Sequence, residues 1–417
     1  MKMRVLWFSN CSLAASESNG SGSWLYAMSN LMRDKIELYN ITEANVNEVE
    51  YKEANGIKEY ILPLFKLKHG IPSSNKITLI KKLVDSIAPD VIHIWGLEKY
   101  WALLFSRKFL EYVPIIEIQG LLSSCFDVYW GGMTPMEILS TIKIKEILKP
   151  SSSLMCRKNN LGNKAKYENE VLSCFDVFST QSQWTRDQLK SIAPTAITYN
   201  TKRPIRKEFW MANKWSVEKE NTNYIIFTSI SYYEPFKGIH ILLKAINELV
   251  KRNKNVILKI AGPNLTTISN IRLGGYERCL LTYINENHLS EHIVFLGKLN
   301  SSSIVSELQS AHVFVNSSFV ESFSASTAEA LCLGVPSVIS FAGAMPEFNL
   351  KRDTILCYSP SDYKSCAAHI EKIISSPILQ RNLSINSISA INALSSNDVV
   401  VATQLEIYRD HLKSICK

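Results

Sequence analysis

With 417 residues, 46% of them hydrophobic and 20% charged, the chain is too apolar for a disordered segment. It is also too long for one core, since single cores seldom grow past about 250–300 residues. The formal charge of +8 permits a nucleic-acid partner, an anionic membrane surface or a phosphorylated substrate and proves none of them; no nucleic-acid partner is expected. The nine cysteines form no Cys-x-x-Cys pair and sit mostly in apolar surroundings. They read as reduced, buried thiols of a cytoplasmic protein, not as zinc ligands or a disulfide frame. The first apolar run is too short for a signal peptide, and no stretch reaches about 18 uncharged apolar residues.

Arg4 to Ser9 has the continuous apolar pattern of a buried strand and leads into a polar loop, Asn10 to Ser23. Trp24 to Arg33 shows helical spacing, as does Ile77 to Ala88, which stops at Pro89-Asp90 before a strand at Val91 to Trp95. A helix over Tyr100 to Leu110 precedes a third strand, Pro114 to Ile118. Tyr129 to Glu170 is less regular, and Val171 to Thr180 reads as a helix end running into a strand. Tyr199 to Asn223, polar and charged with two tryptophans, reads as a linker.

A second α/β unit opens at Tyr224 to Ser229. Helices are expected over Gly238 to Arg252, Tyr276 to Asn287 and Ser303 to Ser310, with strands at Val256 to Ile260, Ile293 to Leu296, His312 to Asn316 and Ser337 to Ser340. Alternation of this kind predicts parallel sheets with crossover helices, and ligands beyond the carboxyl ends of their strands. The expected boundaries are an N-terminal domain over 1–200, a linker over 201–222, a second domain over 223–395 and a terminal helix within 396–417, placed against the first domain.

Glu321 and Glu329 bracket a loop-to-helix transition, and Gly334-x-Pro336 closes the helix. Carboxylates accept hydrogen bonds from sugar hydroxyls, and a helix N-terminus between them suits an anionic group. Lys237-Gly238, at the entry to a helix after a strand, could set an ammonium against a phosphate. Gly343 to Glu347 could offer backbone amides to an anion. Taken singly, each of these also fits a solvated acid, a surface lysine or an ordinary turn.

Several other chemistries are excluded or disfavoured. Gly20-x-Gly22 lacks the third glycine of a dinucleotide fingerprint, because Leu25 stands there. There is no Gly-x-x-x-x-Gly-Lys-Ser/Thr and no Asp-x-Asp, and His288 with His292 do not make a metal motif, so no metal site is expected.

Taken together, Asn316-Ser-Ser, Glu321-Ser-Phe, Glu329-Ala-Leu, Gly334-Val-Pro336, Gly343 and Glu347 resemble the donor-site signature of the family 4 retaining glycosyltransferases. Lys237-Gly238, Ala261-Gly262-Pro263 and Phe295-Leu-Gly297 precede them in that family's order. His93 to Glu98, Gln119-Gly120 and Thr198 to Phe209 look like a bacterial branch that builds capsular or other surface polysaccharides.

The resemblance implies an α/β protein of GT-B fold, with two Rossmann-like, doubly wound domains facing a central cleft. The first would hold the acceptor, and the second the nucleotide-sugar donor. It implies a retaining hexosyltransferase that needs no metal or cofactor. Its donor would be a nucleotide-diphosphate sugar, uridine-linked by expectation, and its acceptor a saccharide or lipid-linked saccharide. The location would be the cytoplasm. The basic cluster from Lys143 to Lys166 reads as a solvated face, or else as peripheral contact with an anionic membrane at the inner face of the plasma membrane.

The residue roles also follow from the resemblance. Glu321 would hold the donor hexose, and Lys237 would neutralise the leaving phosphate. Glu329 would bind the ribose, and the Phe323-Ser324 backbone would meet the diphosphate along with the Gly343 loop. Gly297, Lys298 and Leu299 would border the base, while Gly22 and Ser23 would close over the phosphates. His93, Trp95 and Gln119 are acceptor-side candidates, although His93 and Trp95 fit a core role equally well.

The chain departs from the pattern in three places. No arginine precedes Lys237 in Ser229 to Phe236, leaving Arg203, Arg206 or a lysine as the second cation. Ser324 and Ala344 replace usual glycines, and Gln119 stands where many relatives carry histidine. These departures keep open a non-catalytic GT-B partner protein or sugar-nucleotide-binding module.

Overall fold

The computed structural model describes residues 2–14, 22–216, 223–269, 272–349 and 353–415. Gly20 and Cys416 lie outside them. The chain forms two compact units, one from Met1–Ser123, Asn163–Pro204 and Leu394–Lys417, the other from Ser124–Gly162 and Ile205–Ala393.

The first unit holds strands β1 (Arg4–Phe8), β2 (Glu37–Ala44), β3 (Glu50–Ala54), β4 (Ile57–Pro63), β5 (Val91–Trp95), β6 (Ile115–Ile118), β7 (Val177–Thr180) and β8 (Ile197–Asn200). Their order is β3-β4-β2-β1-β5-β6-β7-β8, parallel throughout except for the β3–β4 hairpin. Side chains of a strand alternate between faces. Leu6 and Phe8 therefore join one apolar layer while Val5 and Trp7 join the other.

The helix Asn397–Ile415 covers the Val5–Trp7 layer with Val400, Ile407 and Tyr408, and Trp7 Nε1 donates to the Tyr408 hydroxyl at 2.9 Å. Strands β2 to β4 escape the periodicity reading because all three carry charged residues, and β3, at the sheet edge, is mostly exposed. The 19-residue helix Leu154–Leu172 escapes it as well, since its sequence is polar nearly all round.

The second unit holds β9 (Tyr224–Ser229), β10 (Val256–Ala261), β11 (Ile293–Gly297), β12 (Val313–Asn316), β13 (Ser337–Ser340) and β14 (Leu356–Tyr358). They are all parallel, in the order β11-β10-β9-β12-β13-β14. The chain winds outward one way from β9 and the other way from β12. Their shared boundary is thus a topological switch point.

Two expected boundaries change. Residues 124–162, expected in the N-terminal domain, cluster with the second unit because their partners lie there. Tyr129 donates to Glu234 at 2.7 Å, Lys244 to Glu137 at 2.7 Å, and Arg278 pairs with Glu146. The expected linker is folded too. Phe209 and Trp215 are buried, and Trp215 Nε1 donates to the Ala311 carbonyl at 2.7 Å. Of the eight cysteines described, all are free, Cys332 and Cys366 are buried and Cys174 is exposed, so fewer are fully enclosed than their neighbours in sequence suggest.

Candidate functional site

In the second unit, five loops leave the carboxyl ends of parallel strands at one edge of the sheet. The loop after β9 carries Lys237, that after β10 carries Gly262, and the end of β11 carries Gly297. The loop after β12 carries Glu321, and that after β13 carries Gly343. Lys237 and Glu321 therefore flank the switch point, and Lys237 Nζ meets Glu321 Oε1 at 2.6 Å.

The loops are locked in place by backbone contacts. Gly238 has φ 68°, and a Cβ there would lie 1.9 Å from the Ser317 carbonyl oxygen, so only glycine fits. Ser317 Oγ donates to the Lys237 carbonyl at 3.0 Å, and the Phe319 amide donates to the Phe236 carbonyl at 2.7 Å. Gly343 is equally close, since its Cβ would sit 2.3 Å from the Glu321 carbonyl oxygen. The Ala344 amide donates to that same oxygen at 2.8 Å, which takes one backbone donor of this loop away from an incoming anion.

Asn316 organises the segment between the acids. Its amide donates to Ser324 Oγ at 2.9 Å and Thr327 Oγ1 at 3.2 Å, and its carbonyl oxygen accepts from the Ser318 amide at 3.0 Å. Ser318 in turn donates to Glu321 Oε1 at 2.8 Å. Ser324 caps the helix Ala325–Leu333 by accepting from the Thr327 amide, and it does so at φ 67°. That conformation explains why glycine suits the position, and the hydroxyl's hydrogen bonds offset the strain. Phe323, beside it, packs on Phe348 with centroids 5.4 Å apart.

Glu329, one turn inside the helix, is 7% exposed. Both of its oxygens are engaged by Arg206, at 2.7 Å from Nε and 2.8 Å from the second nitrogen. Arg206 also donates to Ser301 Oγ at 2.8 Å and lies over the Phe209 ring. Burial pushes the Glu329 carboxyl up, and the Arg206 guanidinium opposes that rise. For Lys237, burial works to lower the pKa, but the Glu321 carboxylate outweighs it and holds the ammonium above the ordinary lysine range.

Arg206 is therefore committed to Glu329 and is not a second cation beside Lys237. In the stretch that lacks the expected arginine, the Tyr232 ring lies 5.8 Å from Lys237 Nζ. Gly297, at φ 76°, has open space around its Cβ position. Lys298 and Leu299 follow it, leading to the helix that begins at Ser301.

In the first unit, Gly22 stands at φ 96° ahead of the helix Ser23–Met32, and a Cβ there would meet Cys11 Sγ at 2.8 Å. At the same sheet edge Asn10 Nδ2 donates to Glu98 at 3.0 Å. Gln181 Nε2 donates to the carbonyls of Ile118 at 2.8 Å and Gln119 at 3.1 Å. Arg203 donates from Nε to Gln181 at 2.5 Å and stacks over Trp24.

His93 and Trp95, expected as acceptor candidates, are instead fully buried. They stack on each other with centroids 3.8 Å apart, and His93 Nδ1 meets the Tyr408 hydroxyl at 3.1 Å. Both are core residues, and burial keeps the His93 ring neutral. Gln119 is half-buried at the edge. Sequence reasoning does not single out Asn316, Ser318, Ser301 or Gln181. Asn316 and Ser318 lie inside the donor-site motif, but nothing in a linear pattern shows that they hold Ser324 and Glu321.

Residues 212–390 match the family model described as glycosyl transferases group 1. The fold is that of the GT-B glycosyltransferases. The sucrose-phosphate synthase of Thermosynechococcus elongatus superposes with a TM-score of 0.74 at 15% identity, over 99% of this chain and 100% of that one. Anabaena HepE, solved with UDP-glucose, superposes with a TM-score of 0.65 at 12% identity, over 99% and 100% of the two chains.

Among curated proteins, the chain is similar to one component of the phosphatidylinositol N-acetylglucosaminyltransferase of Arabidopsis thaliana, 28% identical over 158 residues, 38% of this chain and 32% of that protein. The Homo sapiens counterpart is 30% identical over 139 residues, 33% and 26% of the two chains. The match thus spans about a third or less of those relatives' length. Over the matched segment and in its fold, the chain resembles glycosyltransferases.

Proposed function

We propose that the chain is a retaining, metal-independent hexosyltransferase that draws on a nucleotide-diphosphate sugar and builds a surface polysaccharide on a saccharide or lipid-linked acceptor. The observation that carries this reading is the Lys237–Glu321 contact at 2.6 Å at the switch point of a parallel sheet, with Glu329 on the helix that follows. A uridine-linked donor is favoured by the neighbour solved with UDP-glucose.

In this reading Glu321 accepts hydrogen bonds from the hexose, Lys237 meets the phosphate that bears the developing charge, and Glu329 takes the ribose hydroxyls. The Phe323-Ser324 and Gly343 backbone lines the diphosphate. Gly297, Lys298 and Leu299 border the base, and Gln119 positions the acceptor. The bond from the anomeric carbon to the leaving phosphate oxygen breaks on the face where the acceptor oxygen attacks. The acceptor proton passes to that phosphate. Catalysis then rests on electrostatic stabilisation and orientation.

The side-chain pairing adds a condition. Lys237 and Glu321 neutralise each other, and Arg206 occupies both oxygens of Glu329. Donor binding must exchange these contacts for contacts to the sugar nucleotide.

The test is an assay of sugar-nucleotide hydrolysis and transfer with and without saccharide acceptors, with the product anomer assigned by NMR and a chelator arm included. Transfer with retained configuration that survives the chelator supports the proposal. An inverted product, or activity abolished by chelation and restored by a divalent metal, would overturn it. Donor binding with no transfer to any acceptor would favour the non-catalytic binding module.

A further inference from the structure

The segment 134–149 of the second unit is built inside out. Its two short helices, Pro135–Ser140 and Ile144–Leu148, turn their polar residues toward the protein. Glu137 receives Lys244 at 2.7 Å, Lys145 donates to the Leu273 carbonyl at 2.7 Å, and Glu146, 3% exposed, is paired with Arg278. The apolar residues point the other way. Met136 is 81% exposed, Leu139 65%, Ile142 42%, Ile144 75%, Ile147 68% and Leu148 79%.

In the second helix Ile144, Ile147 and Leu148 fall at i, i+3 and i+4, which puts them on one face. A surface helix of a soluble protein has the opposite polarity, with its apolar stripe inward. Six large aliphatic or thioether side chains exposed within one short segment form a patch that marks an interaction surface.

Charge selects the occupant. The two acids of the segment are both spent on internal partners, whereas Lys143 and Lys149 flank the apolar helix and are exposed. The six residues include no aromatic anchor and no arginine, the types that dominate protein–protein contacts. Aliphatic side chains that protrude between lysines match the boundary between anionic headgroups and acyl chains. The basic stretch from Lys143 to Lys166 is itself divided, because Lys164 and Lys166 belong to the other unit; the lysines that matter are those beside the apolar face.

We propose that residues 136–149 form a docking surface for an anionic lipid bilayer, the apolar side chains entering the headgroup–acyl boundary while Lys143 and Lys149 meet lipid phosphates. The segment is keyed to the Lys237 loop through neighbouring residues of the same unit. Tyr129 bonds Glu234, and a Cβ on Gly131 would lie 2.2 Å from the Pro235 carbonyl oxygen. Docking would thus fix the donor site with respect to the membrane plane.

The experiment is flotation of the full chain with phosphatidylcholine vesicles, with and without phosphatidylglycerol. It compares the wild type with the triple variant Ile144→Asn, Ile147→Asn, Leu148→Asn and with the double variant Lys143→Glu, Lys149→Glu. Binding of uridine diphosphate by thermal shift is measured on each. The proposal expects wild-type flotation with the anionic vesicles, weakened by salt. It expects roughly tenfold or greater loss in the triple variant and loss of the preference for anionic lipid in the double variant, with nucleotide response unchanged in both. Wild-type protein that does not float, or a triple variant that floats as well as wild type, would overturn it. So would a self-association of the wild type that the triple variant abolishes while neither floats, which would make the patch a contact between copies. The nucleotide arm separates these outcomes from failure of the donor-site reading.

Discussion

Lys237 and Glu321 are far apart in sequence yet touch, because β9 and β12 are neighbours whose crossovers run in opposite directions. The pair is 18% exposed on each side, so its charges are only partly solvated and matter to a bound phosphate more than surface charges would. Replacing Glu321 with alanine is expected to lower kcat/KM by about 10²–10³-fold, with the fold retained by circular dichroism. Lys237→Ala is expected to weaken donor binding, read by calorimetric titration. Full activity in either variant would remove the assignment.

Arg206 gives a sharper residue-scale test. Breaking a buried ion pair from one side strands the other charge, at a cost on the order of 3 kcal/mol. Here the side chains of Arg206 and Glu329 are 12% and 9% exposed. Arg206→Ala should therefore destabilise the second unit in chemical denaturation, and Arg206→Ala with Glu329→Gln should recover most of the loss. Additive losses in the double variant would show that the two residues do not act as a pair. Gly343→Ala belongs with these changes, since its Cβ would collide with the Glu321 backbone at 2.3 Å. It should cost roughly 1–3 kcal/mol of stability and raise KM for the donor.

At the scale of elements, the segment 124–162 is fastened by His240 as well as by ion pairs. His240 meets the Tyr276 hydroxyl at 2.8 Å through Nδ1 and the Gly131 carbonyl at 2.8 Å through Nε2. A neutral ring satisfies both, accepting from the tyrosine and donating to the carbonyl. Burial pulls its pKa down to about 4, below the ordinary value near 6.5. A depressed folded-state value means that this contribution is complete above about pH 6.5 and is lost as pH falls toward 4, by up to roughly 3 kcal/mol. Amide protection factors across 124–162, corrected for the intrinsic exchange rate at each pH, should fall over that window, and His240→Gln should flatten the response. Protection factors that do not change between about pH 7 and pH 5, on either side of the ordinary histidine value, would contradict this account.

The elements also show how far a sequence reading reaches. Strands β9 to β13 and the helices between them are legible because a parallel sheet covered on both faces needs unbroken apolar strands and amphipathic crossovers. The helix Leu154–Leu172 is hidden, since its residues present no single apolar stripe. In segment 135–149 only the charge stands out in sequence. Its inverted polarity becomes visible only once Glu137 and Glu146 are seen paired inward.

For the whole molecule, the motif proposed to bind the donor is legible because glycines and acids at fixed spacing report loops that meet at one sheet edge. Glycine is required at 238 and 343 because a Cβ there would lie 1.9 and 2.3 Å from a backbone carbonyl oxygen, which is why such positions carry a signal in one sequence. The acceptor side is less legible. His93 and Trp95 sit in strand positions whose side chains could face either the core or a ligand, and contact with Tyr408, far along the chain, decides for the core. Arg203 and Arg206 look equivalent in sequence and are not. One is bound to Gln181 in the first unit, and the other is clamped to Glu329 in the second.

The most direct test of the central claim is equilibrium titration of the full chain with a panel of nucleotide-diphosphate sugars, repeated on Lys237→Ala. Saturable binding of a uridine-linked member by the wild type, weakened about tenfold or more in the variant as the loss of one charge-assisted phosphate contact implies, is the predicted result. A wild-type chain that binds no nucleotide-diphosphate sugar, or a Lys237→Ala variant that binds as tightly as wild type, would contradict it.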